Sequence, residues 1–286
     1  MHKKIKSYVE LMRLHRPIGI LLLLWPTLWA LWIAAAGFPS VKNLCIFVIG
    51  VVLMRSAGCV INDFADRKFD AHVARTKNRP LATGVVSARG AIILFVALCA
   101  IAFVLVLFTN ALTVLLAFFA VLTAAIYPFM KRFTHWPQLI LGIAYSFSIP
   151  MAFAAETQKI SFFAGILMLA NILWAIAYDT QYAMVDREDD LKIGIKSTAV
   201  LFGKYAQLII GLFQCVVIAV LCLLGYWESF SAVYFGAIFL ASLLFIYQQL
   251  LISKAEPQKC FKAFLNNQWV GLIVFLGILL QFIRAC

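Results

Sequence analysis

The chain has 286 residues, 64% of them hydrophobic, and a mean hydropathy of +0.97, whereas a soluble domain is nearer half apolar. This composition excludes a soluble enzyme and predicts an integral membrane protein. It is all-α, because no alternating β-barrel segments occur and helices are then the only spanning structure. The formal net charge is +12, but no soluble basic domain carries it, which excludes nucleic acid as a partner.

Residues 2–16 set Lys3, Lys4, Lys6, Arg13 and Arg16 against Ile5, Tyr8, Val9, Leu11 and Met12. That pattern predicts an interfacial amphipathic helix ending at Pro17. No cleavable signal peptide is expected, because Arg13 and Arg16 interrupt the basic start and the apolar run after Pro17 has full span length. Nine spans are predicted, roughly 18–36, 43–62, 91–109, 111–129, 137–155, 161–182, 205–224, 231–252 and 269–284, each near the ~20 residues a crossing helix needs. Two long connections, 63–90 and 183–204, interrupt them, and long loops in a compact protein are usually functional. The seven cysteines are scattered without paired spacing and read as packing residues.

Lysine and arginine fix the expected orientation. On one side of the nine spans lie 20 of the 24, among them Arg67, Lys68, Arg75, Lys77, Arg79 and Arg89 after span two. Lys42, Lys159 and Arg284 fall on the other side, and Arg55 inside a span. The positive-inside rule then puts the N-terminus and both long loops in the cytoplasm, and the C-terminus outside.

Eight of the twelve acidic residues fall in two clusters at span ends, Asn62 to Asp70 and Asp179 to Asp190. Carboxylates beside lipid are costly and face a cavity or a partner. If the helix of span two continues, Asn62, Asp66 and Asp70 recur every four residues, with Asp63 beside that stripe. Asp179, Tyr182, Asp186 and Asp190 likewise share one helical face. Like charges so arranged call for a cation, and hard oxygen ligands suit Mg²⁺, which commonly takes one or two carboxylates plus substrate phosphates. The competing reading is a solvated helix end with ordinary cytoplasmic charges. Two such clusters together favour the metal.

Bases gather on the same side: Arg75, Lys77 and Arg79 after the first cluster, Lys131 and Arg132 between spans four and five, Lys192 and Lys196 after the second. Metal on some oxygens and Lys or Arg on others suits a diphosphate. The positive-inside rule explains their number, but less well why Lys131 follows Tyr127 by one helical turn. Arg55 precedes Asn62 by seven residues, so it lies roughly 10 Å deeper on the same face. It either pairs with a cluster carboxylate or holds an anionic group of a second substrate.

These residues resemble a known family. Asn62-Asp63-x-x-Asp66-x-x-x-Asp70, and Asp179-x-x-Tyr182-x-x-x-Asp186 with Asp190, are similar to the two signatures of the UbiA superfamily of intramembrane aromatic prenyltransferases. Leu24 to Trp32, Met54 to Cys59, Asn78 to Leu81, Tyr127 to Arg132 and Ile193 to Thr198 resemble its bacterial 4-hydroxybenzoate polyprenyltransferase branch. The likeness covers nearly the whole chain. It implies one transmembrane prenyltransferase domain over 1–286, about nine helices around a central cavity, in the bacterial inner membrane. It implies Mg²⁺-dependent transfer of a polyprenyl group from polyprenyl diphosphate to the carbon ortho to the hydroxyl of 4-hydroxybenzoate, an early step of ubiquinone synthesis. On this reading Asn62, Asp66, Asp70, Asp186 and Asp190 bind metal. Arg16, Arg79, Lys131 and Arg132 bind diphosphate, and Arg55 anchors the acceptor's carboxylate. Asp63, Tyr127, Asp179 and Tyr182 support the metal or handle the proton. The rival from another class is an anion transporter, but its site belongs near the midplane and these acids sit at span ends.

Overall fold

A computed structural model describes residues 2–67, 70 and 76–283, without the side chains of residues 2–4. Lys68, Arg75 and Arg284, counted above for orientation, lie outside the described residues. The described residues are helical, with no strand among them.

Eight segments are long and apolar enough to cross a membrane. They are α3 (Val41–Asp66), α4 (Ala88–Val106), α5 (Ala111–Ile126) with the 3-10 turn Tyr127–Arg132, and the pair α6 (Pro137–Ser146) and α7 (Ser148–Thr157). Then come α8 (Phe162–Ala183), α10 (Thr198–Phe202) running on to α11 (Ala206–Trp227), α12 (Ala232–Ile252) and α13 (Pro257–Ile283). The ninth apolar helix, α2 (Ile18–Ala34), has 17 residues, about 25 Å at 1.5 Å per residue, slightly short of the ~30 Å hydrocarbon core. It sits inside the bundle. Trp29 is buried, stacks on Trp174 of α8 at 5.3 Å, and donates its indole N–H to the Gly271 carbonyl of α13 at 3.0 Å. The chain is a multi-pass membrane protein.

Helix starts are closed by side chains, as a solvent without hydrogen bonds demands. Ser40, Ser87, Asn110 and Ser161 each accept from the backbone N–H three residues on, at 3.0–3.2 Å. Helices α4 and α5 turn apolar side chains such as Ile93, Val104, Leu115 and Leu122 outward, where lipid would lie. Their inner faces, with those of α2, α3 and α6 to α8, enclose the central cavity.

Four expectations are corrected. Helix α1 (His2–Leu11) stops short of Pro17, because Arg13 takes a left-handed backbone (φ 59°) that breaks the helix. Span five is interrupted at Phe147, since Pro150 has no N–H for the carbonyl four residues back. The last span begins at Pro257, twelve residues before the expected 269; Lys259, Lys262, Asn266 and Asn267 lower its hydropathy, while Cys260, Ala263, Phe264 and Asn267 turn inward at helical spacing. The supposed single helix through Asp179, Tyr182, Asp186 and Asp190 ends at Ala183, and a second helix, α9 (Arg187–Ile193), starts after a turn. Its three aspartates therefore converge through a bend.

Candidate active site

Two cavities adjoin where α3 and α8 end. The smaller, about 160 Å³, is polar. It is lined by Asn62, Asp66, Asp70, Asp179, Asp186 and Asp190, and by the bases Arg79, Lys131 and Lys196. The larger, about 740 Å³, is mostly apolar and runs between α3, α4 and α5. Asn62, Arg79, Tyr127, Asp179 and Tyr182 line both and so form the boundary between them.

The first cluster is built on the end of α3. Asp63, Asp66 and Asp70 are only 1%, 4% and 5% exposed, and each is gripped by a base from a different part of the chain. Arg13 donates from Nη2 to both oxygens of Asp63, at 2.9 and 3.1 Å. Arg79 bridges, with Nη1 3.0 Å from Asp63 Oδ1 and bonded to both Asp70 oxygens at 2.9 and 3.0 Å. Lys131 pairs with Asp66, and Asn62 donates to Asp66 Oδ2 at 3.3 Å. Burial pushes the Asp70 carboxyl above its ordinary value; the Arg79 guanidinium works against that, and the Asp66 and Asp63 carboxylates add to it.

The second cluster is assembled by backbone. Asp190 N–H donates to the Asp186 carbonyl at 2.9 Å, and Ile195 N–H to the Asp190 carbonyl at 3.0 Å. Lys196 N–H then reaches the Lys131 carbonyl at 3.1 Å, which ties this loop to the 3-10 turn that carries Lys131. Gln138 of α6 lines the same cavity and accepts from the Thr198 N–H at 3.0 Å.

Most of the residues singled out in the sequence thus meet. Arg16 is exposed but lines the larger cavity. Arg132 does not join them. It lines neither cavity; its Nη2 donates to the Ala65 carbonyl at 2.6 Å, at the end of α3, and its part in holding diphosphate is a proposal. Among the described residues Arg55 makes no ion pair with a cluster carboxylate; its Nη1 donates to Cys59 Sγ, and it lines the larger cavity beside Tyr127, Tyr145 and Tyr178. Sequence reasoning missed Arg13 as a partner of Asp63, because only its charge was visible. It also missed Gln138, which carries no charge and lies 41 residues from Asp179.

The donor set fits a hard divalent ion. All candidate ligand atoms are oxygens, and Asp66 Oδ1 is buried with no hydrogen-bond partner among the described residues. Among the described residues no three His, Cys, Asp or Glu side chains are grouped to hold an ion; a Mg²⁺ ion usually keeps several waters and takes phosphate oxygens besides one or two carboxylates.

Comparison with known proteins agrees with this layout. The model of the UbiA prenyltransferase family matches residues 23–278. A 4-hydroxybenzoate octaprenyltransferase from Salmonella paratyphi C is 56% identical over 279 residues, 98% of this chain and 96% of that protein. One from Salmonella newport is equally similar, with the same coverage. The apo structure of a UbiA homolog from Aeropyrum pernix K1 has a TM-score of 0.80 at 25% identity, covering 92% of this chain and 97% of that one. A UbiA homolog from Archaeoglobus fulgidus bound to GPP and Mg²⁺ shares the fold, with a TM-score of 0.71 at 17% identity, covering 96% and 99%. The family model covers most of the chain and the two curated relatives cover nearly all of it, so the chain belongs to the UbiA prenyltransferase family.

Proposed function

We propose that this chain is a 4-hydroxybenzoate polyprenyltransferase. It moves a polyprenyl group from polyprenyl diphosphate to the ring carbon ortho to the acceptor's hydroxyl, and releases diphosphate. The observation that carries the reading is identity of 56% along 98% of the chain to enzymes named for this acceptor. The paired cavities give it a physical form: apolar space for a long isoprenoid, polar space for its charged head.

In this reading Asn62, Asp66, Asp70, Asp186 and Asp190 would hold Mg²⁺, which when bound neutralises the diphosphate and makes it a better leaving group. Arg79, Lys131 and Arg16 take up the negative charge that grows on the departing oxygen. The pairing of Arg79 with Asp63 and Asp70, and of Lys131 with Asp66, places the charge of these two before substrate arrives. The allylic carbon–oxygen bond breaks and both its electrons leave with diphosphate. The ring carbon ortho to the phenol attacks the allylic cation, a carbon–carbon bond forms, and the ring proton departs. Asp179 lines both cavities and is placed to receive that proton, with Tyr127 and Tyr182 beside it. Asp63 orients Arg13 and Arg79. Arg55 anchors the acceptor's carboxylate in the larger cavity. The orientation carries over from the charge asymmetry: N-terminus and site in the cytoplasm of a bacterial cell, in the inner membrane.

The test is chemical. Membranes containing the chain, supplied with Mg²⁺, a polyprenyl diphosphate and 4-hydroxybenzoate, should yield 3-polyprenyl-4-hydroxybenzoate by mass. Product with another aromatic acceptor and none with 4-hydroxybenzoate would overturn the assignment.

A further inference from the structure

Arg55 grows from α3, yet the Nε–Nη2 edge of its guanidinium meets the backbone of α2 at Gly19. A Cβ built on Gly19 would stand 2.2 Å from Arg55 Nε, 2.3 Å from Nη2 and 2.6 Å from Cζ. The three nearest atoms all belong to the guanidinium. The room that residue 19 leaves empty is therefore filled by the head of Arg55. Nothing in α2 itself asks for glycine here. Residue 19 has ordinary helical geometry, and alanine would favour the helix.

The seat also accounts for the polar atoms around it. Arg55 Nε is buried with no hydrogen-bond partner, as expected of an atom pressed on a glycine Cα. Nη1 is held by Cys59 Sγ, one turn along α3. With its Nε–Nη2 edge on Gly19 and Nη1 on Cys59, the guanidinium has a fixed direction. The Tyr178 hydroxyl, buried and also without a partner, lines the same cavity. A planar guanidinium recognises a carboxylate well only when its orientation is set.

We infer that Gly19 is a specificity-determining residue for the acceptor: by lacking a side chain it forms the seat that aims Arg55 into the pocket and so selects an acceptor bearing a carboxylate. This rests on the reading of Arg55 as the carboxylate anchor. Gly19 is a positioning residue and touches no reacting atom. Because the clashing group is the free end of a long side chain, Gly19→Ala moves Arg55 and does not disturb the helix packing.

The experiment compares Gly19→Ala, Arg55→Leu and their double variant in membranes, with Gly165→Ala as a control. Gly165 is a helix glycine with open space around it and outside both cavities. Gly19→Ala should accumulate like Gly165→Ala. It should raise KM for 4-hydroxybenzoate about tenfold or more, the scale of a lost charge-assisted hydrogen bond. KM for polyprenyl diphosphate should stay within about twofold, and preference for 4-hydroxybenzoate over neutral 4-hydroxybenzamide should shrink. On the Arg55→Leu background the alanine should add less than about twofold, because coupled residues do not add. An unchanged acceptor KM in Gly19→Ala, or an equal rise for both substrates, overturns the inference. If Arg55→Leu weakens acceptor binding and Gly19→Ala does not, the seat is wrong and the anchor stands. If Arg55→Leu leaves the acceptor KM unchanged, the anchor falls and the seat with it. Should Gly19→Ala fail to fold, the double variant decides: without the guanidinium it should recover to the level of Arg55→Leu, and failure to recover shows that alanine meets something else.

Discussion

The two acidic clusters share a composition and differ in how they are held. The first is three carboxylates on one helix end, almost wholly buried, each fixed by a charged side chain from a distant segment: Arg13, Arg79 and Lys131. The second spans a helix end, a turn and a new helix. Asp186 and Asp190 are half-buried, and main-chain hydrogen bonds through residues 186–196 set the course of the turn that carries them. Buried charges fixed by buried charges make a rigid wall, and removal of one partner strands another. Carboxylates placed by a turn can adjust as a substrate enters. Loss of the first cluster should therefore cost both fold and chemistry, and loss of the second mainly chemistry.

The largest effect tests what they share. Asp66→Ala and Asp186→Ala should each cut prenyl transfer roughly 10²–10³-fold or more, the scale seen when one stabiliser of transition-state charge is removed. Radiolabelled product formed in membranes, normalised to protein level, is the measurement. Normal activity in either variant removes the idea that both clusters clamp one diphosphate. Chelation of divalent ions with EDTA should likewise stop the reaction, and added Mg²⁺ should restore it.

Next comes the expected split. Arg79→Ala leaves both Asp63 and Asp70 buried with a partner gone, and should lower stability by about 3–5 kcal/mol. Arg13→Ala should cost less, about 1–3 kcal/mol, since Arg79 still faces Asp63 and Arg13 is 24% exposed. Unfolding of the purified protein in detergent reads both. Equal and negligible losses would show that the first cluster is no more rigid than the second.

A finer contrast sets one ligand against another. Asp190→Asn should raise the Mg²⁺ concentration for half-maximal activity by about tenfold, in the range typical of altered metal surroundings, with the unfolding temperature unmoved. Asp70→Asn should shift both, because it also removes the charge that Arg79 holds. A fall in stability for Asp190→Asn comparable to that for Asp70→Asn would erase the distinction.

How much of this was legible in the sequence follows the same division. The nine apolar segments were visible because lipid demands long uninterrupted hydrophobic runs, and α3, α8 and α12 end within a few residues of expectation. The acids of both clusters were visible because carboxylates at a membrane boundary are costly and therefore rare. Partners were not. Arg13 reaches Asp63 across 50 residues, and nothing local marks an arginine that does so. The break between Asp179 and Asp186 was missed because an i, i+3, i+7 spacing fits one helix as well as two helices joined by a turn. The break at Phe147 did leave a trace in Pro150, whose missing N–H interrupts a helix wherever it falls inside one. The seat of Arg55 on Gly19 is a contact between helices, and a lone glycine in an apolar run says nothing about what lies on it.

The smallest expected effect is the sharpest control on the comparison. Lys192 pairs with Asp189 at 3.6 Å, within α9, with 72% and 38% of the two side chains exposed. This pair belongs to the second acidic stretch by sequence but lines neither cavity. Water screens such a pair, and its worth should lie within about 0–1 kcal/mol. Lys192→Ala should leave both the unfolding temperature and the turnover near wild type. A tenfold loss of activity would mean that charge on the outer face of α9 shapes the site as strongly as the buried pairs of α3 do. The second cluster would then depend on that exposed pair as well as on the main-chain bonds of its turn.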